Sequence, residues 1–149
     1  MTELAAALQR RGNEVHVFAR LGEGQSVFDI IDGVYYHRCP IHLHRDFVTE
    51  MNNMCNSFVY FMRQTEAYQG WRFDIVHGHD WMCAKGIVQA KNNGRSRVVL
   101  TFHSTEFGRC GNKSHKGHSE RIMGIEAEGA YCADRVITVS GSLADETKW

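Results

Sequence analysis

Proline is nearly absent from this sequence: Pro40 is the only one in 149 residues. Long helices and inner strands therefore meet no forced break, and a proline-rich linker is excluded. Net charge is absent too, with 17 Lys plus Arg against 17 Asp plus Glu. No basic run, and no basic stripe interleaved with aromatics, is there to track a phosphate backbone, so nucleic-acid binding is not expected. No apolar run approaches the roughly 20 residues of a membrane span. The N-terminal MTELAAALQRRG carries polar residues where a signal peptide has its apolar core. A cytoplasmic location without a transmembrane segment is the expectation. Five cysteines (Cys39, Cys55, Cys83, Cys110 and Cys132) form no C-x-x-C pair. That argues against a disulfide framework and against a cysteine zinc site. The G-x-G-x-x-G, Walker and G-x-S-x-G signatures are missing as well.

Apolar residues make up 43% and charged residues 23%, ordinary values for one domain with a real core. Leu4, Ala7, Leu8 and Arg11 fall at helical spacing, and Gly12-Asn13 supplies a stop. Two β-rich runs follow, EVHVFAR (14–20) and GVYYHRC (33–39), with LGEGQS between them as a loop. From Phe47 to Met62 the apolar steps of three and four predict a helix with one buried face. Strand, helix, strand, helix, strand then alternate through FDIVHGH, WMCAKGIVQAKNNG, RVVLTFH, SERIMGIEAEGAYCAD and RVITVS. The polar 104–118 stretch reads as a loop. SLADETKW begins another helix, with Ser142 and Asp145 placed as a capping box. This alternation predicts an α/β fold: a Rossmann-like, doubly wound, mostly parallel sheet covered on both faces.

In such sheets the ligand crevice lies at the carboxyl ends of the strands. His77, His79 and Asp80 end one strand. His103, Ser104, Thr105 and Glu106 end the next, and Ser140 ends the last. Zinc could draw on the histidines, but H-x-H-D lacks the further spacing of a hydrolase site. A Ser104–His103 nucleophile lacks its strained elbow. The mixture of His, Asp, Ser, Thr and Asn, with Trp81 and Phe107 as flat apolar faces, suits a hydroxyl-rich ligand such as a sugar. Against this stand ordinary structural roles. Asp80 suits the N-cap of a helix starting at Trp81, His77 suits a core position, and Glu126 and Glu128 suit a solvated helix face.

DIVHGHDWMCAKG, VVLTFHSTEFGRCGN and ADRVITVS, in that order, resemble the N-terminal lobe of the retaining glycosyltransferases of family 4. That group has the two-lobed GT-B fold, and the tripeptide His79–Trp81 is also similar to glycogen and starch synthases. The resemblance implies an acceptor-side lobe, residues 1–149, truncated at both ends and lacking its first strand. It implies transfer of a sugar from a nucleotide-sugar co-substrate, with no resident cofactor and no metal. His79 would hold the transferred sugar and act as the catalytic residue. Asp80, Trp81, His103, Ser104, Thr105, Glu106, Arg109 and Asn112 would line the acceptor side. The basic pair and paired glutamates that serve the departing diphosphate have no counterpart here. The expected partners are a sugar acceptor and a donor lobe, with a second copy of the chain as another candidate. A non-catalytic carbohydrate- or partner-binding half and a metal-dependent hydrolase are the alternatives.

Overall fold

The computed structural model describes residues 2–94 and 96–148. The expected domain limits at Met1 and Trp149 lie outside them. The elements run α1 (Thr2–Arg10), β1 (His16–Arg20), β2 (Phe28–Ile31), β3 (Val34–Cys39) and α2 (Phe47–Gln69). They continue with β4 (Ile75–His79), α3 (Trp81–Asn93), β5 (Arg97–Phe102), α4 (Glu106–Arg109), α5 (His118–Cys132), β6 (Arg135–Thr138) and α6 (Gly141–Glu146).

The strands form two three-stranded sheets among the described residues, ordered β1-β3-β2 and β4-β5-β6. All pairs are parallel except β2 with β3. The α/β class and the mostly parallel pairing agree with the sequence. The single continuous sheet does not: among the described residues β1 and β4 each keep one unpaired edge, and no strand pairing joins the two sheets.

The β2–β3 hairpin was not expected. Asp32 (φ 51°) and Gly33 (φ 73°) both take positive φ, as a tight primed turn requires. The 104–118 loop likewise contains a turn of helix, α4. Its cap is Thr105, whose Oγ1 accepts from the Gly108 N–H at 3.0 Å. The capping box expected at Ser142 and Asp145 is also corrected. Ser140 is the N-cap of α6, accepting from the Leu143 N–H, because the helix starts two residues earlier than its apolar pattern implied.

The 23-residue α2 begins at Asp46, whose carboxylate accepts from the Thr49 N–H. Arg121 of α5 binds both oxygens of that carboxylate, at 3.0 and 2.9 Å, and ties the two helices. Met51, Met54 and Cys55 of the expected stripe are buried on α2, joined by Val48 and Val59, whereas Phe47 at its start is exposed. The main core joins α2, α3, α5 and β5, with Val98, Leu100 and Phe102 inaccessible to solvent. Each of these β5 residues is two from the next, so all three face the helices. Helices α3 and α5 approach closely at Ala84 and Gly129. Asp134 locks the start of β6 to β5: its carboxylate accepts from the Val98 N–H at 2.8 Å and from Lys91 at 2.5 Å.

Candidate active site at the strand ends

β4 and β5 run side by side, with His77 level with Val99 and His79 level with Thr101. This register brings three histidines into one stack. The rings of His77 and His79 lie 4.4 Å apart, and those of His79 and His103 lie 5.4 Å apart. His79 Nδ1 and His103 Nε2 share a hydrogen bond of 3.1 Å. His77 Nε2 is bonded to the Thr101 hydroxyl at 2.7 Å. His77 is thus tied to the sheet, whereas Nε2 of His79 has no hydrogen-bond partner among the described residues.

Burial and the neighbouring imidazoles disfavour a charge on His79, pulling it from 6.5 to about 4. His77 is lowered for the same reasons. His79 is therefore neutral at pH 7. A neutral ring both donates and accepts, with the tautomer set by the bond to His103. That dual capacity matches a sugar hydroxyl.

Asp80 is a correction. Its side chain makes no cap bond to α3. Its Oδ1 instead accepts from the His103 N–H at 2.7 Å, while its own N–H donates to the Thr101 carbonyl. The carboxylate thus joins the ends of β4 and β5 and fixes the spacing of His79 and His103. The backbone at Asp80 has φ 59° and ψ 175°, a region nearly reserved for glycine and costing on the order of 1–3 kcal/mol. The cross-strand bonds hold it there.

Trp81 is 6% exposed and packs in the core, with the Phe47 ring edge-on at 5.7 Å. It anchors the start of α3 and offers no face to solvent. Ser104, Thr105, Glu106 and Arg109 form a second cluster next to His103. Arg109 donates to Ser104 Oγ at 2.7 Å, to Glu106 Oε2 at 3.1 Å and to Glu126 Oε1 at 3.1 Å. Thr105 is buried and donates to Glu146. Asn112 is exposed at φ 59°, near the tip of the loop.

Glu126 was not expected here. It is 1% exposed, not solvated, and it also accepts from the Glu106 N–H at 2.8 Å. Burial is the main cause of its raised pKa, partly opposed by that bond and by Arg109. Burial opposes ionisation of Glu106 as well, yet bonds from Ser119, Arg109 and Cys110 leave it lowered. One guanidinium therefore organises two carboxylates and the whole 104–109 turn. A signal existed in the sequence: Ile122, Ile125, Glu126 and Gly129 share one face of α5 and are all buried. A carboxylate on an apolar stripe needs a buried partner. Among the described residues, no set of three or more His, Cys, Asp or Glu is placed to hold a metal ion.

The cluster gives the stability an acid-sensitive component. Unfolded histidines gain a proton near 6.5, whereas His79, and His37 on β3, do so only near 4 when folded. Burial is the main cause for His37 also, with His16 adding to it. Between those values the unfolded chain binds more protons, so stability falls as pH drops through that window. Asp134, lowered to about 2 by Lys91 and the Val98 N–H, adds its loss only at more acid pH. We expect Tm to be level between about pH 7 and 8 and to fall between pH 6.5 and 4, with a smaller fall in His37→Gln. Thermal scans across pH check this, and a flat Tm down to pH 4.5 would contradict it.

Comparison with known proteins defines the class first. Over 99% of its length the chain superposes on two structures of sucrose-phosphate synthase from Thermosynechococcus elongatus. The TM-scores are 0.72 and 0.77, at 17% and 18% identity, and the match covers 76% and 38% of those chains. The fold is that of one lobe of a GT-B glycosyltransferase. The chain belongs to Glycosyltransferase Family 4, whose profile matches residues 1–149. It is 33% identical over 144 residues to an uncharacterized glycosyltransferase of Methanocaldococcus jannaschii, a match covering 96% of this chain and 35% of that protein. It is also 32% identical over 78 residues to a glycogen synthase of Mycobacterium tuberculosis, covering 52% of this chain and 19% of that one. The chain thus spans about a third or less of the curated relatives it matches.

Proposed function

We propose that this chain forms the acceptor-side lobe of a glycosyltransferase that moves a sugar from a nucleotide-sugar donor with retention of configuration. The observation that carries the reading is His79. It is a neutral, half-buried imidazole held by His103 at the strand ends of a family 4 lobe, and its other ring nitrogen has no partner among the described residues. In this reading His79 Nε2 hydrogen-bonds a hydroxyl of the transferred sugar. His103, Ser104 and Asn112 meet the acceptor, whose hydroxyls they can match as donors or acceptors. Asp80 and Glu126 act behind them: Asp80 spaces the two histidines, and Glu126 positions Arg109 and the 104–109 turn. Trp81 and Thr105 support these groups from the core. Oriented donors and acceptors of this kind serve catalysis by holding reactants in line and by stabilising charge as it develops.

The donor nucleotide and the departing diphosphate are assigned to a second lobe of a longer polypeptide, in a cytoplasmic protein. The test is a transfer assay on the full-length polypeptide with a panel of nucleotide sugars and glucan or small-sugar acceptors, the product anomer being read by NMR. Retained configuration supports the reading. Hydrolysis that depends on added zinc, with no transfer, would replace it by the hydrolase alternative.

A further inference from the structure

We propose that Glu146 of α6 positions the turn that carries Ser104, and that it acts through the hydroxyl of Thr105. What that turn meets rests on the acceptor reading above; how it is held does not.

Thr105 is 1% exposed, and its hydroxyl is bonded at both ends. The oxygen accepts from the Gly108 N–H at 3.0 Å, closing the single turn of α4. It also carries one proton, which needs an acceptor of its own in so buried a place. Glu146 Oε2 takes that proton's bond at 2.9 Å. A chain thus runs from backbone N–H to hydroxyl to carboxylate. With both bonds made, the hydroxyl has one orientation and the Thr105 side chain one rotamer. The backbone on either side, at Ser104 and Glu106, is held with it.

Glu146 is not placed as an ordinary surface acid. Leu143, 7% exposed, anchors α6 in the main core. Glu146 lies three residues on, so it shares that face of the helix. A carboxylate turned that way loses water and needs a donor in exchange. Among the described residues the Thr105 hydroxyl is its one donor, and no lysine or arginine pairs with it. Gly108 leaves room for this reach. A Cβ there would lie 3.0 Å from Glu146 Oε2 and 3.3 Å from Thr105 Oγ1.

The turn is therefore held from two helices. From α5, Glu126 accepts from Arg109 and from the Glu106 N–H. From α6, Glu146 accepts from Thr105. The two holds use different groups, so losing the second leaves the first in place. The turn then loosens without unfolding. Ser104 samples more positions, and an acceptor that binds it must order the turn as well, which weakens binding.

The test uses the full-length polypeptide. Glu146→Ala is expected to raise the acceptor KM about tenfold, the size of one lost hydrogen bond, with kcat and donor KM changed by no more than about threefold. A role in stability alone would lower the amount of active enzyme and leave the acceptor KM where it was. Thr105→Val should raise that KM by the same factor, and the double variant no further, because the two residues act through one bond. Glu146→Gln keeps an acceptor oxygen, so its KM should stay within about threefold of the wild type. Asp145→Ala is the control: Asp145 is exposed on the same helix and paired with Lys148, and its loss should change nothing. Amide exchange reads the hold without catalysis. At Gly108, Arg109 and Cys110 it should quicken at least about tenfold in Glu146→Ala, with Val98 to Phe102 unchanged. A wild-type polypeptide that transfers no sugar would remove the acceptor reading, and quickened exchange would then still support the hold of Glu146 on the turn. Unchanged exchange at those three amides overturns the proposal. So does an active Glu146→Ala enzyme with an unaltered acceptor KM, or a double variant whose losses add.

Discussion

His79→Ala in the full-length polypeptide is expected to lower kcat by about 100-fold or more, the usual cost of removing one oriented hydrogen-bonding group at a reacting centre. Its stability should change by no more than about 1 kcal/mol. The two effects separate because of what the ring touches. It is half-buried and stacked between two other imidazoles, and its one strong protein partner is the exposed His103. Removing it leaves the buried residues of β5 in place. A loss made in the transition state lowers kcat and kcat/KM together, whereas loss of ordinary sugar binding raises KM alone. His79→Gln keeps one group that donates and one that accepts, so it should recover part of the rate. A parallel fall of kcat and Tm would show that His79 is only a packing residue.

Gly129→Val is expected to abolish the native packing. A Cβ at Gly129 would lie 2.6 Å from the Ala84 Cβ and 3.0 Å from Leu100 Cδ2. Ala84 and Leu100 are both inaccessible to solvent, so neither has space to withdraw, and α3 and α5 must separate. Overpacking by a single methyl costs roughly 1–3 kcal/mol, and the two further methyls of valine add to it. A domain with only about 5–15 kcal/mol in hand loses most of it. Gly124→Ala is the control on the same helix. Nothing lies within 4 Å of its added Cβ, so it should raise stability by about 0.5–1 kcal/mol through helix propensity. Denaturant titrations of both variants decide the matter, and a Gly129→Val protein with an unchanged midpoint would refute the close approach.

The regular elements were legible because period and composition are local. The steps of three and four from Phe47 to Met62, and the β-branched runs at 97–102 and 135–138, have one sensible geometry each, and the structure adopts it. Phe28–Ile31 is not legible as a strand, although Asp32-Gly33 after it carries a hairpin signal. Its residues are mostly exposed, so it lacks the alternation of a half-buried strand. Asp80 suits a cap in the sequence because only the helix that follows it is local. The His103 N–H it actually binds is 23 residues away. Trp81 looked available as an aromatic face, and Phe47, also far along the chain, covers it.

The sequence by itself determined the α/β alternation, the parallel strand ends and the two histidine-bearing segments, since each depends on neighbours within a few turns or strands. It also determined the family, through several ordered motifs. The tertiary structure alone decided the rest. It set which histidine is tied to Thr101 and which to His103, and it buried Glu126 beneath Arg109. It also left one edge of β1 and one of β4 unpaired among the described residues. Those outcomes follow from strand register and helix approach, which join residues distant in the chain and leave no periodic trace within it.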